Sequence, residues 1–280
     1  MIFRFIRAHT GRWPVSVMCR VLGVSRSGYY AWCAEPGAWQ ERDRILSAQA
    51  VSVYTDSHGI YGYRKVHRAL RDAGIEAGKH RVYRLLGSLG CRAVHRPRRK
   101  HVAERPQPRP NLLKRQFATP PAATTWVSDI TQIALSGGGW LYLATVMTLP
   151  GRRIVGTAMA RHQREGLVIK ALERAWKAEG KPSEGLFHSD QGSQYGSQRV
   201  RHWLARHGFA QSMSGRGQCW DNACAESWFS LLKREWLVPA GMKSAQATRA
   251  LVKYYLQFYN GRRMHSALDY MTPNDYALTA

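Results

Sequence analysis

Acidic residues are scarce in this chain. Its 280 residues include 18 Asp and Glu against 42 Lys and Arg, which gives a formal net charge of +24. A field of this sign attracts polyanions and speeds their association. Residues 1–120 hold 23 of the basic residues and 7 of the acids. We therefore expect the first part of the chain to grip a nucleic acid and the later acids to serve another purpose.

Cysteine is also scarce, and long apolar runs are missing. The five cysteines form no C-x-x-C pair and no Cys/His cluster with zinc spacing, so we expect reduced thiols that serve packing. No apolar run approaches the roughly 20 residues that span a bilayer. The start, M-I-F-R-F-I-R-A-H, is interrupted by arginines and has no signal-peptide core. These absences predict a cytoplasmic protein with no membrane partner.

Residues 1–40 have helix-turn-helix spacing. An apolar helix over residues 15–22, a turn at Gly23 and an N-cap at Ser25 predict a second helix that begins at Arg26. Base or phosphate contacts occur at this position of such a motif, so we expect Arg26 to contact DNA. A helical hairpin that only packs on its neighbours fits the same pattern.

Residues 41–91 predict a second helical DNA-binding domain, with one helix running to Leu70 and another over residues 79–89. The stretch H-G-I-Y-G-Y-R-K-V precedes the helix that ends at Leu70. We expect its Arg64 to contact DNA. Tyr61 and Tyr63 either do the same or lie in the core.

Residues 92–120 predict an extended basic linker. Between residues 92 and 115, nine Lys and Arg stand against one acid, and four prolines interrupt any helix or central strand. Such a segment is suited to track a phosphate backbone, with Arg98, Arg99 and Lys100 as the expected contacts. A solvated linker with incidental charge is the alternative.

Strand patterns begin after residue 121 and predict an α/β domain over residues 121–280. Three antiparallel strands join at S-G-G-G (136–139) and L-P-G-R (149–152). A helix, a strand, a helix, a strand and a helix follow. This is the order of a ribonuclease H-like core with a mixed five-stranded sheet, to which a C-terminal helix and tail are added.

Three acids stand out in this domain. Asp129 lies in the middle of the first strand, Asp190 ends the fourth strand, and Glu226 lies on a later helix, with 35 residues between the last two. An acid facing a phosphate ligand repels it unless cations lie between them. Carboxylate oxygens are ligands that Mg2+ prefers, so the three acids predict a metal site for phosphodiester chemistry on DNA.

Taken singly, most of these acids have simpler interpretations. Asp190 is typical of a turn. A helical wheel puts Glu226 on a polar stripe opposite the apolar face, where exposure to solvent alone would explain it. Asp221 and Asn222 before it are typical of helix caps. Asp129 is different, because an unpaired charge in a buried strand is costly and requires a partner or a metal.

Several motifs resemble one known family, the integrase-type transposases of bacterial insertion sequences, which are products of the element's second reading frame. The motifs are W-V-S-D-I-T, H-S-D-Q-G-S-Q-Y, C-W-D-N-A-C-A-E-S-W-F-S-L-L-K-R-E and Y-N-G-R-R-M-H-S-A-L-D-Y-M-T-P. M-C-R-V-L-G-V-S-R-S-G-Y-Y-A-W and N-L-L-K-R-Q-F extend the resemblance nearly end to end. One departure is Thr148, where similar proteins usually carry an acid.

The resemblance implies a fold, an activity and a cofactor. The fold is a ribonuclease H-like integrase catalytic core, in which Asp129, Asp190 and Glu226 are the catalytic metal ligands of a D-D-35-E pattern. The implied cofactor is Mg2+, and Mn2+ is the expected substitute. A water would cut at the terminal repeats of the element, and the freed 3′-OH would then attack target DNA.

The resemblance also implies DNA contacts and partners. Lys233, seven positions after Glu226, matches a basic residue that such enzymes carry. Arg262 and Arg263 in the last motif are further expected DNA contacts. Members are commonly made as fusions to an upstream frame, so an upstream-frame protein is an expected fusion partner or complex. We expect an oligomer on DNA, associated with the bacterial nucleoid.

Two other functions use the same residues. A metal-dependent nuclease would cut DNA without joining strands, and a DNA-binding regulator would have no use for the three acids. The basic N-terminal half and the C-terminal Y-N-G-R-R-M-H stretch favour a transposase over a plain nuclease. The position of Asp129 in a predicted buried strand argues against a regulator without catalysis.

Overall fold

The computed structural model describes residues 2–34, 38–93, 110–118, 120, 122–214 and 222–279. Two compact units, residues 1–93 and 94–280, divide the chain. No described helix is long and apolar enough to cross a membrane. Four of the five cysteines belong to the described residues, and all four are free thiols.

The first unit begins with α1 (Ile2–Ala8), α2 (Val15–Val21) and α3 (Arg26–Ala34). Gly23 takes a φ of +66° in the turn between α2 and α3, and Ser25 Oγ accepts a hydrogen bond of 3.1 Å from Gly28 N. The predicted helix pair therefore forms, with the predicted cap. The sequence did not predict α1, because arginines interrupt its apolar pattern. The shared core consists of Ile6, Met18, Cys19, Tyr29 and Trp32.

Three further helices complete the first unit: α4 (Ala38–Asp56), α5 (Tyr63–Asp72) and α6 (Lys79–Ser88). Each contacts the other two, and Val66, Leu70 and Val82 are fully buried. Arg81 and Arg84 on α6 donate to Asp43 on α4 at 2.7 and 2.8 Å. The predicted helices at Leu70 and 79–89 thus form.

A mixed five-stranded sheet organises the second unit. Its strands are β1 (Thr125–Ala134), β2 (Trp140–Leu149), β3 (Ile154–Ala160), β4 (Gly185–Ser189) and β5 (Phe209–Met213). They lie in the order β3-β2-β1-β4-β5. The first three pair antiparallel, while β1 with β4 and β4 with β5 pair parallel. This topology confirms the predicted fold class.

Helices α7 (Glu165–Ala178) and α8 (Gln198–Arg206) cover one face of the sheet. Trp126, Phe187 and Leu172 are fully buried in the core beneath them. A Cβ at Gly156 of β3 would lie 2.2 Å from Ala171 O of α7, so the close approach of strand and helix requires glycine. Because side chains alternate along a strand, the neighbours of Trp126 and Ser128 point to the opposite face.

The opposite face receives the C-terminal helices. These are α9 (Ala223–Leu232), a π-helical turn (Lys233–Leu237), α10 (Val238–Ala240), α11 (Ala245–Gly261) and α12 (Pro273–Thr279). Contacts join α9 to β1 and α11 to β3. The predicted helices that carry Glu226 and span residues 245–259 are both present. The π-helical turn was not predicted, since a π turn leaves no period in so short a stretch.

Candidate active site

The sheet brings Asp129 and Asp190 side by side. Ser128 of β1 pairs with Ser189 of the parallel strand β4, and each aspartate is the next residue of its chain. Neighbouring strands lie about 4.8 Å apart. Because the two strands run in the same direction, both carboxylates emerge on the same face of the sheet.

Backbone N–H groups hold both aspartates. Asp129 Oδ1 accepts a hydrogen bond of 2.7 Å from Ile130 N, and Asp190 Oδ1 accepts one of 2.9 Å from Gly192 N. Asp190 therefore does stabilise a turn, as its simpler interpretation requires. The same carboxylate acts on Asp129 electrostatically, so its role in the turn is compatible with the predicted metal site, which stays a prediction.

Helix α9 carries the third acid. Asn222 Nδ2 donates a hydrogen bond of 3.0 Å to Ser128 O, which ties the start of α9 to the residue before Asp129. Asn222 lies at the N-cap position, but its side chain makes no capping bond. The predicted cap is therefore wrong for Asn222, because the strand carbonyl takes its amide. Asp221 lies outside the described residues.

The burial of α9 matches the predicted helical wheel. Trp228 and Leu232 are buried on its apolar side, whereas Glu226 is exposed on the other side. Lys233, which begins the π-helical turn, is half-buried. The polar stripe of the helix thus carries one acidic and one basic residue.

The three acids act on one another electrostatically. Burial raises the pKa of Asp129 most, and the Asp190 and Glu226 carboxylates raise it further, to about 7, while Ile130 N–H and Lys233 lower it. Burial also raises the pKa of Asp190. Like charges gathered in a partly buried place oppose ionisation. The residues predicted from the sequence therefore lie near each other, although they come from two strands and a helix.

The donor chemistry of these residues fits a hard divalent cation. Carboxylate oxygens suit Mg2+, and a bound cation would relieve the repulsion that raises the pKa of Asp129. Among the residues that the structure describes, no three His, Cys, Asp or Glu side chains lie close enough together to enclose a metal ion as they stand.

Buried polar side chains support the strands that carry the aspartates. Tyr195 is fully buried, and its hydroxyl lies 2.9 Å from Ser128 Oγ. His188 is also buried, with its two ring nitrogens 2.8 Å from Ser212 Oγ and 3.1 Å from Ser214 Oγ. The sequence reasoning missed these supporting roles, although two of the residues belong to H-S-D-Q-G-S-Q-Y.

The predicted DNA contacts differ in placement. Arg26, Arg64 and Arg262 are exposed. Tyr61 is buried at 5% exposure, and Tyr63 packs against Tyr83 with ring centroids 5.0 Å apart. The core interpretation therefore holds for Tyr61. Three linker contacts lie outside the described residues, namely Arg98, Arg99 and Lys100.

The sequence predicted that Arg263 contacts DNA, but this arginine lies in the interior of the second unit. It is 6% exposed, and its guanidinium donates hydrogen bonds of 2.9 and 2.6 Å to the two oxygens of Glu235. Tyr255 Oη donates a third, of 2.9 Å, to the same carboxylate. An arginine bound in this way has a structural role, and its placement does not support the predicted DNA contact.

Models of known protein families match both parts of the chain. Residues 121–219 and 207–273 match models of the integrase core domain, and residues 40–100 match a model of an HTH-like domain. The chain resembles the HTLV-2 integrase catalytic core domain in complex with magnesium, with a TM-score of 0.43 and 14% identity, over 54% of this chain and 94% of that one.

Curated relatives match over nearly the whole chain. Transposase InsF for insertion sequence IS3A of Escherichia coli strain K12 is 33% identical, over 99% of this chain and 98% of the relative. The uncharacterized 31 kDa protein of insertion element IS600 of Shigella sonnei is 34% identical, over 91% of this chain and 96% of the relative. The chain therefore belongs to the family of insertion-sequence transposases with an integrase core domain.

Proposed function

We propose that this protein is a DNA transposase that cuts and joins phosphodiester bonds through Asp129, Asp190 and Glu226. The observation that carries the proposal is the register of β1 and β4, which puts Asp129 in line with Asp190, the residue that follows β4. Glu226 comes from a helix that is tied to the residue before Asp129. The raised pKa of Asp129 supports it, since both other acids contribute to it.

The three carboxylates would hold Mg2+, with Mn2+ as a substitute. When bound, such a cation activates the attacking oxygen and stabilises the leaving oxygen. Asp190, held by Gly192 N–H, and Asp129, held by Ile130 N–H, supply ligands that are already oriented. The half-buried Lys233 lies near enough to Asp129 to lower its pKa, so it is suited to bind a DNA phosphate at the same place.

The reaction is proposed as two in-line displacements on DNA. Water attacks a phosphodiester at the end of the element and frees a 3′-OH. That 3′-OH then attacks a phosphodiester of the target, and the leaving 3′ oxygen of the target strand takes a proton. No covalent intermediate with the protein is required, and the protein contributes positioning and charge neutralisation.

DNA binding is assigned to several basic surfaces. Arg26 and Arg64 in the first unit and Arg262 in the second are exposed and suited to phosphate contacts. The linker residues Arg98, Arg99 and Lys100 are proposed from the sequence alone. Two element ends must be held together for joining, which favours an oligomer on nucleoid DNA. An upstream-frame protein, fused or in complex, would add recognition of the terminal repeats.

The test uses end-labelled duplexes with the sequences that flank this gene. The purified chain with Mg2+ is compared with Glu226→Gln, and with Glu173→Gln as the matched control, since Glu173 is an exposed acid on α7. We expect 3′-end cleavage and strand-transfer products from the parent and from Glu173→Gln. Glu226→Gln should give neither product.

Other outcomes identify the alternatives. Cleavage without strand transfer would favour the nuclease, and products that survive Glu226→Gln would contradict the three-carboxylate site. If the chain alone gives no product, the assay is repeated with the upstream frame fused. Sequence-specific binding by the fused protein, with neither cleavage nor joining, would favour the regulator.

A further inference from the structure

A buried ionic cluster lies behind the helix that carries Glu226. Glu235, 8% exposed, accepts hydrogen bonds from both Arg263 and Tyr255. Glu235 belongs to the π-helical turn, and Arg263 follows the end of α11. A buried charge pair is not a dependable source of stability, so its presence here calls for another role.

The π-helical turn continues α9 without a break. Lys233 has φ −62° and ψ −49°, and Val238 beyond the turn is also helical. Glu226 is exposed, whereas Glu235, nine residues later, is buried. The two acids therefore lie on different sides of one helical rod, so a bond at Glu235 fixes the rotation that aims Glu226.

The partner of Glu235 is itself fixed to the sheet. Asn260 near the end of α11 accepts a hydrogen bond of 3.0 Å from Ile154 N and donates one of 2.8 Å to Ile154 O. Ile154 begins β3, which pairs with β2, which in turn pairs with β1. Hydrogen bonds thus link Asp129 on β1, across the sheet and through α11, to the helix of Glu226.

Aromatic packing completes this connection. Trp228, two residues after Glu226, has its ring centroid 6.1 Å from Tyr255 and 6.0 Å from Tyr259, both on α11. Trp236 stacks on Phe258 at 5.7 Å. These contacts hold the helix against α11, but apolar surfaces permit sliding and rotation more readily than a bidentate ion pair does.

We propose that Glu235 and Arg263 are positioning residues for the catalytic site. Their ion pair, with Tyr255, sets the rotation of the helix so that Glu226 reaches the place where Asp129 and Asp190 meet. The Y-N-G-R-R-M-H motif then serves the active site from behind, through Asn260 and Arg263, rather than binding DNA at Arg263. This inference rests on the proposed function, since it requires Glu226 to be a metal ligand.

The test measures metal binding directly and needs no DNA. Mn2+ is titrated into the full chain, and unbound Mn2+ is followed by electron paramagnetic resonance well below the melting temperature of every variant. Arg263→Lys keeps the charge but loses the forked geometry. We expect it to weaken Mn2+ binding roughly tenfold or more, the usual cost of losing a partner that orients a metal ligand. Glu226→Gln should weaken it at least as much.

The matched control is Arg153→Lys. Arg153, just before β3, forms a partly buried ion pair with Glu179 at the C-cap of α7, the helix on the face of the sheet opposite α9. It should lower the melting temperature while leaving Mn2+ binding unchanged. A role in stability alone would make Arg263→Lys behave in the same way, so the two variants separate positioning from folding. If Arg263→Lys does not fold, Tyr255→Phe removes one hydrogen bond to Glu235 and should weaken Mn2+ binding several-fold.

The outcomes distinguish the two proposals. If Glu226→Gln weakens Mn2+ binding but neither Arg263→Lys nor Tyr255→Phe does, the positioning role is contradicted and the proposed function stands. If Glu226→Gln binds Mn2+ like the parent, the three-carboxylate site itself is contradicted, and the positioning role falls with it.

Discussion

Two places in the second unit remove carboxylates from water, and they do so in opposite ways. Around Asp129, acids gather beside acids, and burial together with Asp190 and Glu226 raises the pKa of Asp129 to about 7. Around Glu235, a guanidinium and a phenol donate three hydrogen bonds to one carboxylate. Among the described residues, Lys233 only partly offsets the repulsion around Asp129, whereas an arginine pairs directly with Glu235.

This difference supports the proposed roles, in which Asp129, Asp190 and Glu226 bind a cation and Glu235 positions the helix that carries Glu226. A buried carboxylate that receives an arginine and a hydroxyl has its requirements met. Carboxylates that repel one another bear a free-energy cost that a cation would remove. Lys233 offsets only part of that cost. Neutralising Asp129 should therefore raise the stability of the metal-free chain, whereas neutralising Arg263 should lower it.

The largest effect is expected from a substitution in the acid-rich place around Asp129. Asp129→Asn should lower cleavage and strand transfer about 10³-fold or more, because metal-assisted charge stabilisation contributes several kcal/mol and each 1.4 kcal/mol is a factor of ten. The labelled-duplex assay measures this loss. Asp269→Asn is the control, since Asp269 is exposed and has a left-handed φ of +53° that Asn also adopts. Activity of Asp129→Asn within tenfold of the parent would exclude a catalytic role for Asp129.

The next largest effect is expected from a substitution in the ion pair of Glu235 and Arg263. Arg263→Met should lower the free energy of unfolding by about 3–5 kcal/mol, because it leaves the buried charge of Glu235 without its partner. Adding Glu235→Leu should recover most of this loss, since an apolar pair of similar volume needs no desolvation. Urea denaturation of the single and double variants measures both. A double variant no more stable than Arg263→Met would show that packing, and not charge, is what Arg263 supplies.

A smaller effect compares the pH dependence of the acid-rich place with that of its neutral variant. A carboxyl whose pKa is higher in the folded chain than in the unfolded chain binds more protons when folded. Stability is then lost as pH rises from the unfolded value of 3.8 through about 7. Relative to Asp129→Asn, the metal-free parent should lose about 2–3 kcal/mol between roughly pH 5 and 8. Parallel pH profiles for the two proteins would rule out a raised pKa at Asp129.

Much of the fold follows from local patterns in the sequence. The strand of W-V-S-D-I-T, the turn at S-G-G-G and the cap at Ser25 use residues that act within a few positions of themselves, so the sequence predicts them. The approach of Asp190 to Asp129 is also predictable. Adjacent strands that run parallel bring their carboxyl ends to one edge of the sheet, and the order of elements indicates that pairing.

The unpredicted features depend on partners far away in the chain. Asn222 reaches Ser128 O across 94 positions, and Arg263 reaches Glu235 across 28. Contacts between residues so far apart in the chain produce no periodic pattern and no motif in the sequence. In Y-N-G-R-R, the two arginines look equivalent, and only the end of α11 decides that Arg262 is exposed and Arg263 is buried. Charge alone therefore could not separate a DNA contact from a structural ion pair.

The smallest effect is expected from a comparison of the two adjacent arginines, Arg262 and Arg263. Each phosphate contact that is lost lowers the slope of log affinity against log salt by about 1. Arg262→Ala should show this change and weaken binding to all duplexes about equally, because a phosphate contact carries no sequence information. The double variant Arg263→Met/Glu235→Leu removes the guanidinium and keeps the net charge, and it should leave the slope unchanged, because the buried guanidinium has its hydrogen bonds inside the protein. Fluorescence anisotropy with a labelled duplex over a salt series measures both slopes. A lowered slope for this double variant with an unchanged slope for Arg262→Ala would reverse the assignment and return Arg263 to the DNA interface.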